Sequence, residues 1–523
     1  MRHSSFVADP KQSSSVLVAF KSWRVGAVAL LSLSSGLPLG LVWLSVPTWM
    51  AAAGVDIKTV GLITLAQAPY SFKFVWAPLM DRVWPPFLGR KRGWILLTQL
   101  VLAALFGALA SVATSPTVGT ISALLLAISF ASATQDIAVD AYTVEVLREG
   151  EQGAAAGTRT AMYRVAMWIS GNAAISLGPI WGWDVTIWAL AALFLALIPV
   201  TVFAPEPVSQ PAPPTSLRAA VWEPFVGFLS RPRALEILAF VFLYKLADNL
   251  ATALIRPFLQ QHGYDAWDVG VGSGTATLIS IALGTIIGGL LTERLSVPRA
   301  LWIFGIIQGL TNVGYAVVAA SPVDRTLLYV AVSLENFTGG LGTAAFSFLM
   351  IKLTAKRFSA TQYALLSSLF GLGRTLTGPP AGALADALGW SAFFLLSIPA
   401  AIPGLVMLHR FAPFGKASLI ELSADEVMPI ERGLPWEPRA LWQRGAAAAA
   451  VATLVGVVGA SLLTALKAWR ETKTFDVAAA LVSTVTPHAP AEAIDLIGSI
   501  LFGALTGLAI AATLAARGKT KPV

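Results

Sequence analysis

The chain has 523 residues, 56% of them hydrophobic and 12% charged, with a mean hydropathy of +0.72. An ordinary soluble domain carries roughly 25% charged residues, so this composition argues against a water-soluble enzyme and for a polytopic membrane protein. The net charge of +8 invites a nucleic-acid reading, but Lys and Arg sit in short loops between apolar runs, which is the positive-inside pattern.

Apolar runs of roughly 20 residues, each long enough to span a bilayer, recur from residue 24 to 516. They are continuous and rich in Leu, Ala and Gly, so an all-α membrane protein is expected rather than a barrel. Fourteen spans are expected at 24–50, 59–80, 93–113, 118–147, 153–178, 182–204, 234–261, 267–291, 299–320, 326–353, 359–386, 389–409, 441–468 and 493–516. The first run follows Arg24 and is too long for a signal-peptide core, so it reads as an uncleaved span. There is no cysteine, which removes disulfides and thiolate metal sites.

Lys11, Lys21 and Arg24 precede span one; Arg82, Arg90, Lys91 and Arg92 follow span two; Arg148 follows span four; Arg218, Arg231 and Arg233 follow span six. Arg294, Arg299, Lys352, Lys356, Arg357, Arg410 and Lys416 keep the same parity, so these loops and both termini are expected to be cytoplasmic. The opposite loops hold Asp56, Asp184, Asp265 and Asp268. Lys467, Arg470 and Lys473 near the end of span thirteen break the rule.

The expected organisation is a tail (1–22), a six-helix bundle (23–205), a proline-rich linker (206–233), a second six-helix bundle (234–411), a linker (412–440), an extra hairpin (441–516) and a tail (517–523). The halves resemble each other. Span two opens VGLITLAQAPY and ends at MDR, span eight opens VGVGSGTATL and ends at TER, so Asp81-Arg82 correspond to Glu293-Arg294. A six-plus-six repeat is a transporter signature, with substrate expected where the halves meet.

SGLPLGL at 35–41, FVWAPLMDR at 74–82, ATQDIAVDAY at 133–142 and YKLADN at 244–249 resemble the AmpG-type muropeptide permeases and their acetyl-CoA transporter relatives, a branch of the major facilitator superfamily. APLMDR followed by GRKRGW resembles the acidic-basic loop motif of that superfamily, with Ala77 where a glycine is usual. The resemblance covers residues 23 to 410. It implies two six-helix bundles, a loop latch at Asp81, Arg82, Glu293 and Arg294, and proton-coupled import of muropeptides across the bacterial inner membrane, with no cofactor. Some relatives carry two extra spans like the last hairpin.

Buried charges carry the chemistry, because an intramembrane carboxylate is costly unless it faces a wet cavity or a cation. Asp136 and Asp140 stand four apart on one helical face of span four, with Gln135 beside them. Spans four and five turn near Gly150, so Asp136 should lie level with Arg164 and Asp140 level with Arg159, with Tyr163 nearby. The alternatives are a static ion pair between the two spans, or Asp140 serving Arg82 in the latch. Span seven carries Lys245, Asp248 and Asn249, span ten Glu335 and Asn336, and span eleven Arg374, which should share a cavity unless Lys245–Asp248 is merely an intrahelical pair. Lys73 lies nearer a membrane face and can snorkel. Tryptophans near span ends read as the interfacial belt, with Trp43 and Trp168 as the two that could instead stack on a sugar ring.

These residues point to a secondary transporter, expected to be a monomer, for protons and an anionic, amphiphilic small molecule. In that scheme Asp136, Asp140, Asp248 and Glu335 handle protons, with Asp136 first: when cargo takes Arg164, the carboxylate loses its counter-charge and binds a proton. Gln135, Tyr163, Arg164, Arg159, Lys245, Asn249, Asn336, Arg374 and Trp43 contact the substrate. Three rivals stand beside it. ATP-driven transport lacks a phosphate loop ending in Lys-Ser/Thr. A polytopic transferase lacks clustered acid-base residues, since His3, His262, His409 and His488 are scattered. The same fold could carry a peptide, a siderophore or an acyl-CoA-like thioester.

Overall fold

The computed structural model describes residues 21–53, 64–83, 85–207, 214, 216–231, 233–265, 267–414, 436–472, 474–487 and 490–518, and these residues are all-helical apart from their turns. They fall into two compact units, residues 1–220 with 235–426 and residues 221–234 with 427–523.

The first unit is built twice on one plan. Spans four and ten are single helices of 29 residues, Val118–Val146 and Arg325–Leu353. Both begin on a side-chain cap: Thr117 accepts from the amide of Thr120, and Asp324 from those of Thr326 and Leu327 at 2.8 and 3.1 Å. Spans six and twelve both open on a Gly-Trp step, Gly182-Trp183 and Gly389-Trp390, whose glycines have φ of 94° and 76°. A side chain would be strained there, so the repeated glycine is a backbone requirement. Spans three and nine likewise follow positive-φ residues, Gly89 at 77° and Ser296 at 73°. Matching corners in matching places are what an internal duplication leaves behind.

Ten helices are long and apolar enough to cross a membrane among the described residues, or eleven if Arg325–Leu353 and the helix after it, bent by 99°, count as one span. The expected count of fourteen is not confirmed by this measure. The shortfall falls on spans two, five, ten and eleven, which are the spans broken by turns or laden with polar residues. Part of span two, residues 54–63, lies outside the described residues, and the rest is broken into Thr64–Gln67, Ala68–Phe72, Lys73–Val75 and Ala77–Arg82. Span five is interrupted by a π-turn at Ile169–Ala173, and a second π-turn, Leu41–Ser45, interrupts span one. The two turns face each other: the Ser45 hydroxyl donates to the carbonyls of Ser170 and Gly171 at 2.6 and 3.0 Å, supplying donors to the oxygens the wider turn exposes.

Each bundle has its own apolar core, around Leu37, Phe106, Ile128 and Phe194 in the first and Phe258, Tyr315, Phe393 and Phe394 in the second. The bundles meet through bare backbone. A Cβ on Gly153 would stand 2.8 Å from the carbonyl of Gly289, and one on Gly157 2.5 Å from that of Thr285, so spans five and eight pass at a distance only glycine permits.

In the second unit, Pro438–Thr472 and Pro490–Arg517 pack along a seam of small residues. A Cβ on Gly456 would lie 3.0 Å from Ser499 Cβ and one on Gly507 2.7 Å from Ala449 Cβ. Trp222 lies 6.0 Å from Trp442 within the same unit, so part of the linker between the bundles belongs with the hairpin. The acidic linker residues Glu421, Asp425, Glu426 and Glu431 lie outside the described residues.

Candidate functional site

The break in span two has a chemical result. Both of its short helices start with proline near their N-terminus, where the missing N–H costs nothing, and the turn between them carries Lys73 inward to 4% exposure. Its ammonium pairs with the Asp136 carboxylate and lies 3.3 Å from Asp140 Oδ2, while Arg159 pairs with the other oxygen of Asp140. Ser35 donates to Asp136 at 2.9 Å. Two cations meet two carboxylates, so the cluster is neutral, which is the condition for burying it. Arg159 also donates to the Tyr363 hydroxyl at 2.8 Å and so ties the cluster to the other bundle. Behind it, Gln135 and Gln99 both donate to Ser34, at 2.5 and 3.2 Å, and Thr201 donates to Gln99 at 2.7 Å.

The expected Asp136–Arg164 pair does not form. Arg164 follows Arg159 by five residues, which turns it roughly 140° around the helix at about 100° per residue, so only one of the two arginines can face span four. Asp140 serves Arg159 and Lys73 rather than Arg82, and Lys73 is buried in an ion pair rather than snorkelling.

Arg164 faces a cavity of about 560 Å³ between the bundles. The N-terminal wall consists of Trp43 and Leu44 on one π-turn, Asn172 on the other, and Arg164, Met167 and Trp168 between them. Lys245, Asp248, Asn249, Glu335, Asn336 and Arg256 contribute to the opposite wall. Among the described residues Arg164 has no ion-pair partner, and its half-buried guanidinium is available to a ligand.

Span seven is broken where the C-terminal cluster needs it. Lys245 stands at the break between Ala234–Leu243 and Leu246–Ala253, and its ammonium donates to Gln308 Oε1 at 2.8 Å and the Gly339 carbonyl at 3.0 Å, with Asp248 Oδ2 at 3.4 Å. Tyr315 donates to Glu335 at 3.2 Å. The Glu335 and Asp248 carboxyl groups flank Gly339, where an added Cβ would lie 3.8 Å from Glu335 Oε1 and 4.0 Å from Asp248 Oδ1. Asp248 is 21% exposed, toward the cavity.

One end of the unit is sealed. Asp81 accepts from Lys91 at 2.9 Å and, across the bundles, from the amides of Ala360 and Thr361 at 3.1 and 2.8 Å and the Thr361 hydroxyl at 2.7 Å. A carboxylate at the start of span eleven is where a helix N-terminus favours one. Ser359 donates to Glu145 at 2.5 Å, adding a second tie. Glu293, the counterpart of Asp81, is packed beside Gly153 with both oxygens buried and no donor among the described residues. This end carries Arg90, Lys91 and Arg159. The cavity instead reaches exposed Ala253 and Arg256, toward the end bearing Asp265 and Asp268.

Of the residues singled out from sequence, Trp43, Arg164, Lys245, Asp248, Asn249, Glu335 and Asn336 therefore share one cavity. Asp136, Asp140, Arg159 and Gln135 lie below it in the seal or the bundle core, with Tyr163 close enough to Asp136 and Arg164 to interact electrostatically with both. The Arg374 side chain lies outside the described residues. Arg82 and Arg294 make no ion pair among them. Sequence reasoning passed over Gln308, Tyr315, Tyr363 and Arg256. An arginine in YKLADN's own span, three turns on from Lys245, was the signal for the last; the others are polar residues without a distinctive pattern.

Duplicated bundles, a polar cavity walled by both, and a seal at one end define a secondary transporter integral to the membrane. The chain belongs to the Major Facilitator Superfamily, whose profile matches residues 28–334 and 273–516. It is 42% identical over 398 residues to the anhydromuropeptide permease of Escherichia coli (strain K12), covering 76% of this chain and 81% of that one. An uncharacterized protein of Haemophilus influenzae is 34% identical over 397 residues, 74% of this chain and 93% of its own. A protein of Rickettsia conorii named AmpG 4 is 31% identical over 399 residues, 74% of this chain and 96% of its own.

Proposed function

We propose that this transporter imports anhydromuropeptides across the bacterial inner membrane, driven by the proton gradient, as a monomer with both termini in the cytoplasm. The observation that carries the reading is the wall chemistry of the cavity. Arg164 on one side and Lys245 on the other suit the carboxylates of a peptide, while Trp43 and Trp168 offer flat apolar faces to sugar rings. The 42% identical relative supports the same cargo. With the basic loops cytoplasmic, the seal at Asp81 closes the inner end and the cavity loads from outside.

Vesicles containing the purified protein, given an inward pH gradient, should accumulate labelled anhydromuropeptide. Arg164→Gln should raise KM by about tenfold, the loss of one charge-assisted contact, with the maximal rate less affected. No uptake by the wild-type protein, or equal competition by an acyl-CoA, a siderophore and a sugar-free peptide, would remove the muropeptide assignment.

A further inference from the structure

The two buried charge clusters differ in their charge balance. Around Asp136 and Asp140 stand Lys73 and Arg159, so two cations face two carboxylates and each carboxylate has a cation beside it. Around Asp248 and Glu335, Lys245 is the cation in ion-pair contact among the described residues, with Asp248 and not with Glu335, while Arg164 faces them across the cavity. Glu335 is 2% exposed and receives a hydrogen bond from the Tyr315 hydroxyl. The Asp248 carboxyl group lines the same cavity, and its Oδ1 meets no N–H or O–H donor among the described residues. Both inner oxygens converge on Gly339, whose Cβ, if present, would lie 3.8 Å from Glu335 Oε1 and 4.0 Å from Asp248 Oδ1. Two buried carboxylates converging on one point repel each other, and a proton on one of them relieves that repulsion.

We propose that the proton moved with the cargo is carried between Asp248 and Glu335, and not by Asp136 or Asp140; this rests on the reading of the chain as a proton-driven carrier. The groups facing the pair are Lys245 and Tyr244 from span seven, Gln308 and Tyr315 from span nine, and Arg164 across the cavity from span five. Arg374 on span eleven lies outside the described side chains. Lys245 connects the pair to the cargo. A cargo carboxylate that draws its ammonium away removes the positive charge from Asp248, and the pair then holds its proton more tightly. Cargo and proton load together from the open end. After the seal transfers to that end, the proton leaves to the cytoplasm, Lys245 returns to Asp248, and the cargo loses its counter-charge.

The test uses the whole chain in proteoliposomes, with labelled anhydromuropeptide as probe. Counterflow exchange measures carriage, and pH-driven accumulation measures coupling. In Glu335→Gln accumulation should fall relative to counterflow by at least about tenfold, the scale of a coupling between two bound species. Asp248→Asn should do the same. An unchanged ratio in both variants overturns the proposal. A second measurement needs no cargo: the infrared spectrum of the wild-type protein at neutral pH should show a protonated-carboxyl C=O stretch that Glu335→Gln removes. Absence of that band from the wild type, or its persistence in the variant, also overturns it. Should the wild type show the band but no counterflow of anhydromuropeptide, the cargo assignment fails and the protonated pair stands.

Discussion

In the N-terminal bundle Lys73 and Arg159 hold Asp136 and Asp140 in a neutral, buried cluster, whereas in the C-terminal bundle Lys245 is the described cation for Asp248 and Glu335 at a cavity wall. The bundles share corners, helix lengths and connections, so the difference does not come from the fold. It comes from where the helices break. Span two breaks at Lys73 and turns that ammonium into the bundle; span seven breaks at Lys245 and leaves its ammonium beside the cavity. Duplication supplied two similar scaffolds, and local breaks left one with its charges paired inside the bundle and the other with its charges at the cavity wall.

The sharpest way to break this comparison is to remove Lys73. In Lys73→Met the two carboxylates share Arg159 alone, and an uncompensated buried charge costs roughly 3–5 kcal/mol. The variant should lose most of its thermal stability in detergent. The double variant Lys73→Met/Asp136→Asn restores neutrality and should recover much of that loss, together with counterflow. If the double variant is as unstable as the single one, charge balance is not what the cluster provides. Lys245→Met should behave differently, staying folded but losing affinity for cargo, because Asp248 and Glu335 can keep a proton between them.

Much of this arrangement was legible in the sequence where partners are related by a short turn. Asp140 and Arg159 stand at nearly equal distances on either side of the turn near Gly150, and they pair. The repeat was visible in MDR and TER, and the backbone bears it out at Gly182 and Gly389. What escaped was anything that depends on a helix break. A straight span two puts Lys73 near its end, and only the turn at 73–75 takes it to Asp136. The count of fourteen is not confirmed, since spans two, five, ten and eleven carry polar residues or turns that take them out of a tally made by length and apolarity. Long-range partners such as Tyr363 for Arg159, 204 residues away, leave no local signal at all.

The same contrast recurs at the sealed end, with a smaller expected effect. Asp81 is held by Lys91 and by the first amides of span eleven, while Glu293 in the corresponding place meets no donor among the described residues. The seal therefore depends on the Asp81 side. Asp81→Asn weakens hydrogen bonds to a charged group, worth roughly 1.5–3 kcal/mol, which shifts the balance toward a state open at this end by about ten- to a hundredfold. The chain lacks cysteine, so a single Ala364→Cys probe, at a buried position next to Tyr363, reports the change without background. Its labelling by an impermeant thiol reagent should accelerate in Asp81→Asn and change little in Glu293→Gln. Equal acceleration in both would make the two halves of the latch equivalent.

The smallest effect belongs to the opposite rim. There Arg325 donates to Asp268 at 2.8 Å and to Asp265 at 2.5 Å, and Tyr329 donates to Asp268 at 2.6 Å. These contacts join the start of span eight to that of span ten within one bundle, so they brace the C-terminal wall without closing it. The Tyr329 hydrogen bond first, and Arg325 after it, hold the Asp268 carboxyl below the usual carboxylate range. The folded chain binds this proton less readily than an unfolded one, so the contribution is complete above the ordinary carboxylate pKa of about 3.9 and disappears as the pH falls through the lower folded value. Arg325→Gln should lower the melting temperature slightly at pH 6, and the difference from wild type should shrink as the pH approaches 3. Arg325 is largely exposed, so screening by salt should shrink it as well. A difference that stayed constant with pH would mean that Arg325 acts through packing rather than through Asp268. In that case the rim, like the N-terminal cluster, would be a structural tie, and the asymmetry between the bundles would be confined to the pair at the cavity wall.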